Sequence, residues 1–243
     1  MRVHLEVPTA KLERIITSYH RQLEYASSKT IWDIAQNIKK EERFFMENIF
    51  DRPTPWTLNS LYTARVAYMT SAVGIKSDSF GYKGTAAGQY LKPQVYGGTR
   101  PQKRMEKWLK MYAGMPANLY VVPGRGARLD QYGNMSRGQL IQILSYLQAH
   151  PDSYAWTTPR SLRRNKKPRK YFVVAGGNAA ERRLHPGVYW ERGPRDIIPV
   201  LLFVRMPIYR KRFPFFEIGE RVFKRDFARL FGENRRDALA SMR

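Results

Sequence analysis

Apolar residues return along the first fifth of the chain at three- and four-residue steps. Leu12, Ile15, Ile16, Tyr19 and Leu23 form one stripe; Ile31, Ile34, Ala35, Ile38, Phe45 and Ile49 form the next. That spacing gathers side chains on one side of a helix. It predicts a helical segment over 9–25 and a second over 27–49 capped by Ser27 or Ser28, or one helix running through to Ile49. An element this long exceeds what one small sheet covers, which makes it a candidate for packing on a neighbouring subunit. Pro53 and Pro55 stop it, because neither ring nitrogen can donate and each forces the preceding residue toward extended backbone. The segment from Phe50 to Tyr62 thus predicts a rigid corner with Trp56 buried in it.

Beyond the corner, Leu61 to Val73 alternates apolar with small or polar residues, as one half-buried strand would. Gly74 to Gly84 is rich in turn residues and predicts an exposed connection. Thr85 is placed to cap a short helix from Ala86 to Leu91 that Pro93 stops, and Gly97-Gly98 is a further break. Arg100 to Ala113 predicts a helix with Met105, Trp108, Leu109 and Tyr112 on one face, closed by Gly114. Leu119 to Val122 is strand-like. Ser136 is a good cap for a helix from Arg137 to Ala149, with Leu140, Ile143, Leu144 and Leu147 inward. Three strands follow, at Lys170–Ala175, Gly187–Arg192 and Ile198–Arg205. Their short connections imply antiparallel pairing. Phe215 to Met242 closes the chain as a basic amphipathic helix, with Ile218, Val222, Phe223, Phe227, Leu230 and Phe231 on its apolar side.

The order implies one α+β domain over 1–243: a mainly antiparallel sheet flanked by a long N-terminal and a long C-terminal helix. Residues 75–168 read as a helical and loop block inserted between the first strand and the later ones. At ~1.5 Å per residue the last helix would be ~42 Å long. One domain does not easily hold such a length, so its far end is expected to project. Arg235, Arg236, Leu239 and Met242 become the candidate subunit interface.

Composition adds a partner class. The formal charge is +23 at 43% apolar and 13% aromatic residues, which describes a folding chain that seeks an anionic partner. The densest run is Arg160 to Lys170, where seven of eleven residues are Lys or Arg. Arg160, Arg163, Arg164, Lys166, Lys167, Arg169 and Lys170 are the candidate contacts to nucleic acid or an acidic protein surface, with Tyr171 placed to stack. A solvated loop is the third reading. There are no cysteines, so disulfides and thiolate metal sites are excluded. The first residues lack a signal-peptide core, and no apolar run spans a bilayer. The chain is expected to be made in the cytosol, to stay soluble and to bind no membrane.

Catalytic signals are sparse. His4, His20, His150 and His185 show no metal-ligand spacing. Gly124-Arg-Gly126 lacks the ending of a phosphate loop and reads as a tight turn. Ser145 and Ser161 have no nucleophile-elbow motif around them. Glu41, Glu42, Glu217 and Glu220 read as solvated helix positions. No enzyme, cofactor or metal site is expected.

Several segments resemble proteins of tailed-bacteriophage virions. The most specific is Phe50-Asp-Arg-Pro-Thr-Pro-Trp-Thr-Leu-Asn-Ser-Leu61. Next are Ala87-Gly-Gln-Tyr-Leu-Lys-Pro-Gln-Val-Tyr-Gly-Gly98 and Leu129-Asp-Gln-Tyr-Gly-Asn-Met-Ser-Arg-Gly-Gln-Leu-Ile-Gln-Ile-Leu144, followed by Leu184-His-Pro-Gly-Val-Tyr189 and Pro207-Ile-Tyr-Arg-Lys-Arg-Phe213. The first three are similar to segments of uncharacterised prophage virion proteins. The order of elements and the charge resemble the minor tail and tail-completion proteins of the lambda Z kind. The resemblance implies a non-catalytic structural subunit of the tail or neck, assembled as a homo-oligomeric ring at the head–tail joint or tail end. Its implied partners are other tail or neck proteins and the end of the phage genome. The inserted block is a departure from the smallest tail-completion proteins. A stand-alone nucleic-acid-binding protein is the alternative.

Overall fold

A computed structural model of the chain describes residues 9–77, 85–160, 169–176, 184–193 and 196–241. The chain divides into two compact units, one formed by 1–91 with 212–243 and the other by 92–211. This differs from the expected single domain with a 75–168 insertion. All four strands of the main sheet fall in the second unit, and the first strand does not join them.

In the first unit, α1 runs unbroken from Thr9 to Ile49. No glycine or proline interrupts it, so nothing in its interior opposes helical φ or removes a donor. Its end is closed by the Arg212 guanidinium, which donates to the Ile49 carbonyl at 2.7 Å. A cation at a helix C-terminus satisfies an orphan carbonyl and opposes the dipole. Phe213, fully buried, stacks on Phe45 and meets Phe50 and the neighbouring Phe215 edge-on. The proline corner is a short capped helix, α2 (Pro55–Leu58). The Thr54 hydroxyl accepts from the Thr57 amide at 3.2 Å, and Pro55 occupies the first turn, where its missing N–H costs nothing.

The single strand expected at 61–73 is a hairpin, β1 (Leu61–Ala67) and β2 (Thr70–Ile75). Tyr68 and Met69 form its tip, with Met69 at φ 52°. No Gly, Asn or Asp marks that turn, so the alternation of two short arms reads as one strand. The hairpin lies along α1: Gln36 donates to the Thr63 hydroxyl at 2.9 Å, and the Arg65 guanidinium sits 5.0 Å from the Trp32 ring. The expected short helix after Thr85 continues through Pro93 as α3 (Ala87–Tyr96).

The second unit holds β4 (Leu119–Pro123), β5 (Lys170–Val174), β6 (Gly187–Gly193) and β7 (Asp196–Arg205). They form an antiparallel sheet in the order β4-β7-β6-β5. Paired positions share a face, so Tyr171 with Trp190, Val173 with Val188, and Val121 with Phe203 line one side. On it pack Leu109 of α4 (Arg104–Tyr112) and Ile143 and Leu144 of α5 (Arg137–Tyr146). Two-residue strands β3 (Gly98–Thr99) and β8 (Ile208–Tyr209) pair separately. The α+β class with antiparallel sheets and a long helix at each end is as expected.

The last helix, α6 (Phe215–Ala240), runs antiparallel to α1 along a polar seam. Asn37 donates to Asp226 at 3.0 Å, and Asn234 donates to Thr30 and Asp33 at 3.1 Å each. Asn234 and Ala238 are buried. The far end of α6 therefore does not project, because it is held on α1 of its own chain. Phe223 and Phe227, expected inward, are exposed and stacked on each other at 5.2 Å. The i+4 stripe Ile218, Val222, Asp226, Asn234 and Ala238 takes the buried side instead.

Two buried glutamates behave oppositely. Glu42, expected in solvent, is fully buried on α1, and neither carboxylate oxygen has a hydrogen-bond partner. Burial pushes its pKa up to about 8. Glu106 is equally buried but accepts from Arg100 at 2.5 and 2.9 Å, from the Lys103 amide at 2.6 Å and from the Val121 amide at 2.8 Å. Burial would raise its pKa; the hydrogen bonds from Arg100 and the two amides outweigh it and hold the group below the usual carboxylate value. The two titrations have opposite signs. The folded chain keeps the Glu42 proton that the unfolded chain releases above pH 4.5, so stability from this group is full below that pH and declines up to about 8. Glu106 contributes above the ordinary carboxylate range and loses that contribution on acidification. Glu42→Leu should abolish a decline of roughly 3–4 kcal/mol between pH 5 and 8, read from urea midpoints by circular dichroism. Glu106→Ala should cost about 3–5 kcal/mol at neutral pH by stranding Arg100.

A candidate basic surface for an anionic partner

The basic run enters the sheet at an edge. Among the described residues β5 pairs with β6 alone, so the last two residues of the run, Arg169 and Lys170, stand at a sheet edge. Arg160 is exposed at the start of the run and Lys170 at its end. Lys170 stands opposite Glu191 across the β5–β6 ladder. Arg169 lies over the Trp190 ring, 4.4 Å from its centroid, so its guanidinium is fixed by a cation–π contact. Arg163, Arg164, Lys166 and Lys167 lie outside the described residues.

Tyr171 is not placed to stack on a base. Its ring is buried against the edge of Tyr146 at 5.8 Å, and its hydroxyl is buried without a hydrogen-bond partner. Alternation explains this, since Lys170 faces outward and the next side chain must face the core. More cations are exposed on the same unit: Lys103, Arg104 and Lys107 around α4, and Arg125 and Arg128 in the loop after β4.

On the first unit the cations of α6 are largely offset within the chain. Arg225 pairs with Asp226 at 2.9 Å and with Glu41 at 3.8 Å; Arg221 reaches Glu41 at 3.7 Å, and Arg229 reaches Glu233 at 3.0 Å. The Arg225 hydrogen bond holds Asp226 below its ordinary pKa. Arg235 and Arg236 are exposed, Leu239 is half-buried, and Met242 lies outside the described residues.

Gly124-Arg-Gly126 is not an anion cradle. Its glycine N–H groups donate to the β7 carbonyls of Val200 and Pro199, both at 2.9 Å. A Cβ on Gly124 would stand 2.4 Å from the Pro199 oxygen, so glycine here permits close approach of two backbones. Pro199 interrupts a central strand at a register shift, where no ladder donor is needed. Gln139, buried on α5, fixes the same loop by accepting from the Arg128 amide at 2.6 Å and donating to the Gly126 carbonyl at 2.9 Å. Sequence reasoning missed Gln139, Glu106, Asp226 and Asn234, because a polar residue on an apolar helical stripe resembles a surface position.

Among the described histidines, His150 meets Trp108 edge-on at 4.7 Å and accepts from the Asp152 amide, while His20 pairs with Glu24 at 3.5 Å. His4 lies outside the described residues. No group of three or more potential metal ligands occurs among the described residues. No described helix is long and apolar enough to cross a membrane. The chain matches no family model, no curated protein and no solved structure.

Trp56 departs from its expected burial, being 45% exposed. Trp56→Ala should therefore cost about 1 kcal/mol, not the about 3–5 kcal/mol of a buried ring. Gly124→Ala should cost about 2 kcal/mol or more through its clash with β7. Paired urea titrations of both variants check the contrast.

Proposed function

We propose that the chain is a non-enzymatic structural subunit of a tailed-phage virion, at the tail or the head–tail joint. In this role it assembles with copies of itself and with other tail or neck proteins, and its basic surface contacts DNA or acidic partner subunits. The observation that carries the reading is the set of virion-like segments joined to a charge of +23. The basic run supports it by ending on an edge strand, where Lys170 is exposed and Arg169 is half-buried over Trp190. Phosphates would be met by counter-ion release, with affinity that falls steeply with salt and little preference for sequence.

The test neutralises Arg163, Arg164, Lys166 and Lys167 together to Ala. The expected variant keeps the parent melting curve and is impaired in incorporation into virions or in DNA binding, with a shallower salt dependence. Parent-like incorporation and parent-like DNA affinity would remove the role assigned to this segment. Tight, salt-dependent DNA binding by a variant-sensitive protein that never enters virions would favour the stand-alone nucleic-acid-binding reading. A reconstruction of virions carrying the protein tests the position at the tail or neck.

A further inference from the structure

The first turns of α1 outrun everything described beside them in their unit. Asn234 lies opposite Thr30, so counting equally from that pair brings Ala240, the end of α6, level with Glu24. The hairpin stops at the same height, where its tip residue Tyr68 meets the Glu24 carboxylate. Residues 9–22 extend past both, for about 20 Å at ~1.5 Å per residue.

This overhang has an apolar face. Leu12 is 43%, Ile15 50%, Ile16 64% and Tyr19 43% exposed. At 100° per residue these four point the same way as Ala26, Thr30, Ile34 and Asn37, and Thr30 and Asn37 are the α1 positions that α6 grips. The stripe therefore continues an existing helix-packing face beyond the point where its helical cover ends. Its own side chains are spaced at helical steps, branched or aromatic, and free of charge along its centre, so it is more apolar than the polar seam it continues.

We infer that this overhang pairs with the same overhang of a second copy, antiparallel and about a two-fold axis. The sequence is self-complementary in that register. Leu12 faces Tyr19 of the second copy, and Ile15 and Ile16 meet their counterparts at the axis. On one flank Glu13 comes beside His20, and on the other Lys11 comes beside Ser18 and Gln22, so no like charges oppose. The length also fits. The second copy's Thr9 comes level with Gln22, just short of the position where Ala240 begins, so the described turns of the partner helix fall within the length that α6 leaves open. The contact is isologous and closes at two copies. Four apolar side chains per copy make a small interface, so the dimer belongs to the weak, concentration-dependent class. This contact is separate from the head-to-tail contact that a ring requires, so the proposed function and this pairing can fail independently.

The absence of native cysteine makes the test direct. In the full chain, single variants Ile16→Cys and Leu12→Cys and the double variant Leu12→Cys/Tyr19→Cys are oxidised mildly and run on non-reducing gels. Light scattering follows the parent and Ile16→Glu across a concentration series. Expected are a cross-linked dimer for Ile16→Cys and for the double variant, little for Leu12→Cys alone, and a parent dimer that Ile16→Glu reduces to monomer. Circular dichroism should show parent-like melting of Ile16→Glu, because the position is exposed. Efficient cross-linking of Leu12→Cys alone would show a parallel pair and overturn the antiparallel register. A parent that is monomeric at every concentration, or whose self-association is untouched by Ile16→Glu, overturns the pairing. Cross-linking of Ile16→Cys to a cysteine placed at Phe227, in preference to itself, would identify the exposed aromatic side of α6 as the docking face instead.

Discussion

The first unit depends on one constraint: two long helices must pack in a single register along a seam that is partly polar. Asn37 to Asp226 and Asn234 to Thr30 and Asp33 fix that register. A purely apolar seam would tolerate sliding by a turn. Here a slide of one turn would leave a buried amide and a buried carboxylate without partners, each costing about 1–3 kcal/mol or more. The register in turn sets where α6 ends on α1, and hence which part of α1 is left bare. Glu42 lies on the same helix without any such partner, and the fold tolerates it by keeping the group protonated rather than by bonding it.

The second unit solves a similar problem with complete bonding. Glu106 collects four donors from Arg100, the Lys103 amide and the Val121 amide, which ties the start of α4 to β4. Gln139 ties α5 to the loop after β4, and the glycines of that loop allow its backbone to lie against β7 at the Pro199 irregularity. These contacts hold the sheet while its edge strand β5 carries the end of the basic run. In the proposed role the cations of that run would need only to be presented, not positioned to a tenth of an ångström, because phosphate neutralisation is long-ranged and tolerant of geometry.

Much of the architecture was legible in the residues. The three- and four-step periodicity identifies both long helices, and turn residues separate the later strands well enough to give their antiparallel pairing. The hairpin was not legible, because Tyr68-Met69 carries no turn chemistry. Nor was the burial of Glu42 and Glu106, since nothing in a helical period distinguishes a polar residue facing the core from one facing solvent. The stripe from Leu12 to Tyr19 was legible as a helix face. Its exposure follows from where Ala240 stops, which is a property of the α1–α6 register and not of either segment alone. For the basic run, Lys170 is exposed, whereas Arg169 is half-buried over Trp190 and Tyr171 is turned inward by strand alternation.

The distribution of charge separates two kinds of basic residue that composition merges. On α6 the arginines at 221, 225 and 229 meet carboxylates of α1 or of α6 itself, so their charge is spent largely inside the unit. Around α4 and at the entry to β5, the described cations at 103, 104, 107 and 170 are exposed, and Glu106 of the same helix is committed to Arg100. The net field of the chain is therefore carried unevenly, with the second unit presenting more uncompensated positive charge than the helical seam of the first. An anionic partner attracted by that field would be drawn to the second unit, while the bare apolar face on α1 belongs to the first. The proposed electrostatic capture and the proposed helix pairing would then use different units of one chain, and neither would need to be traded against the other.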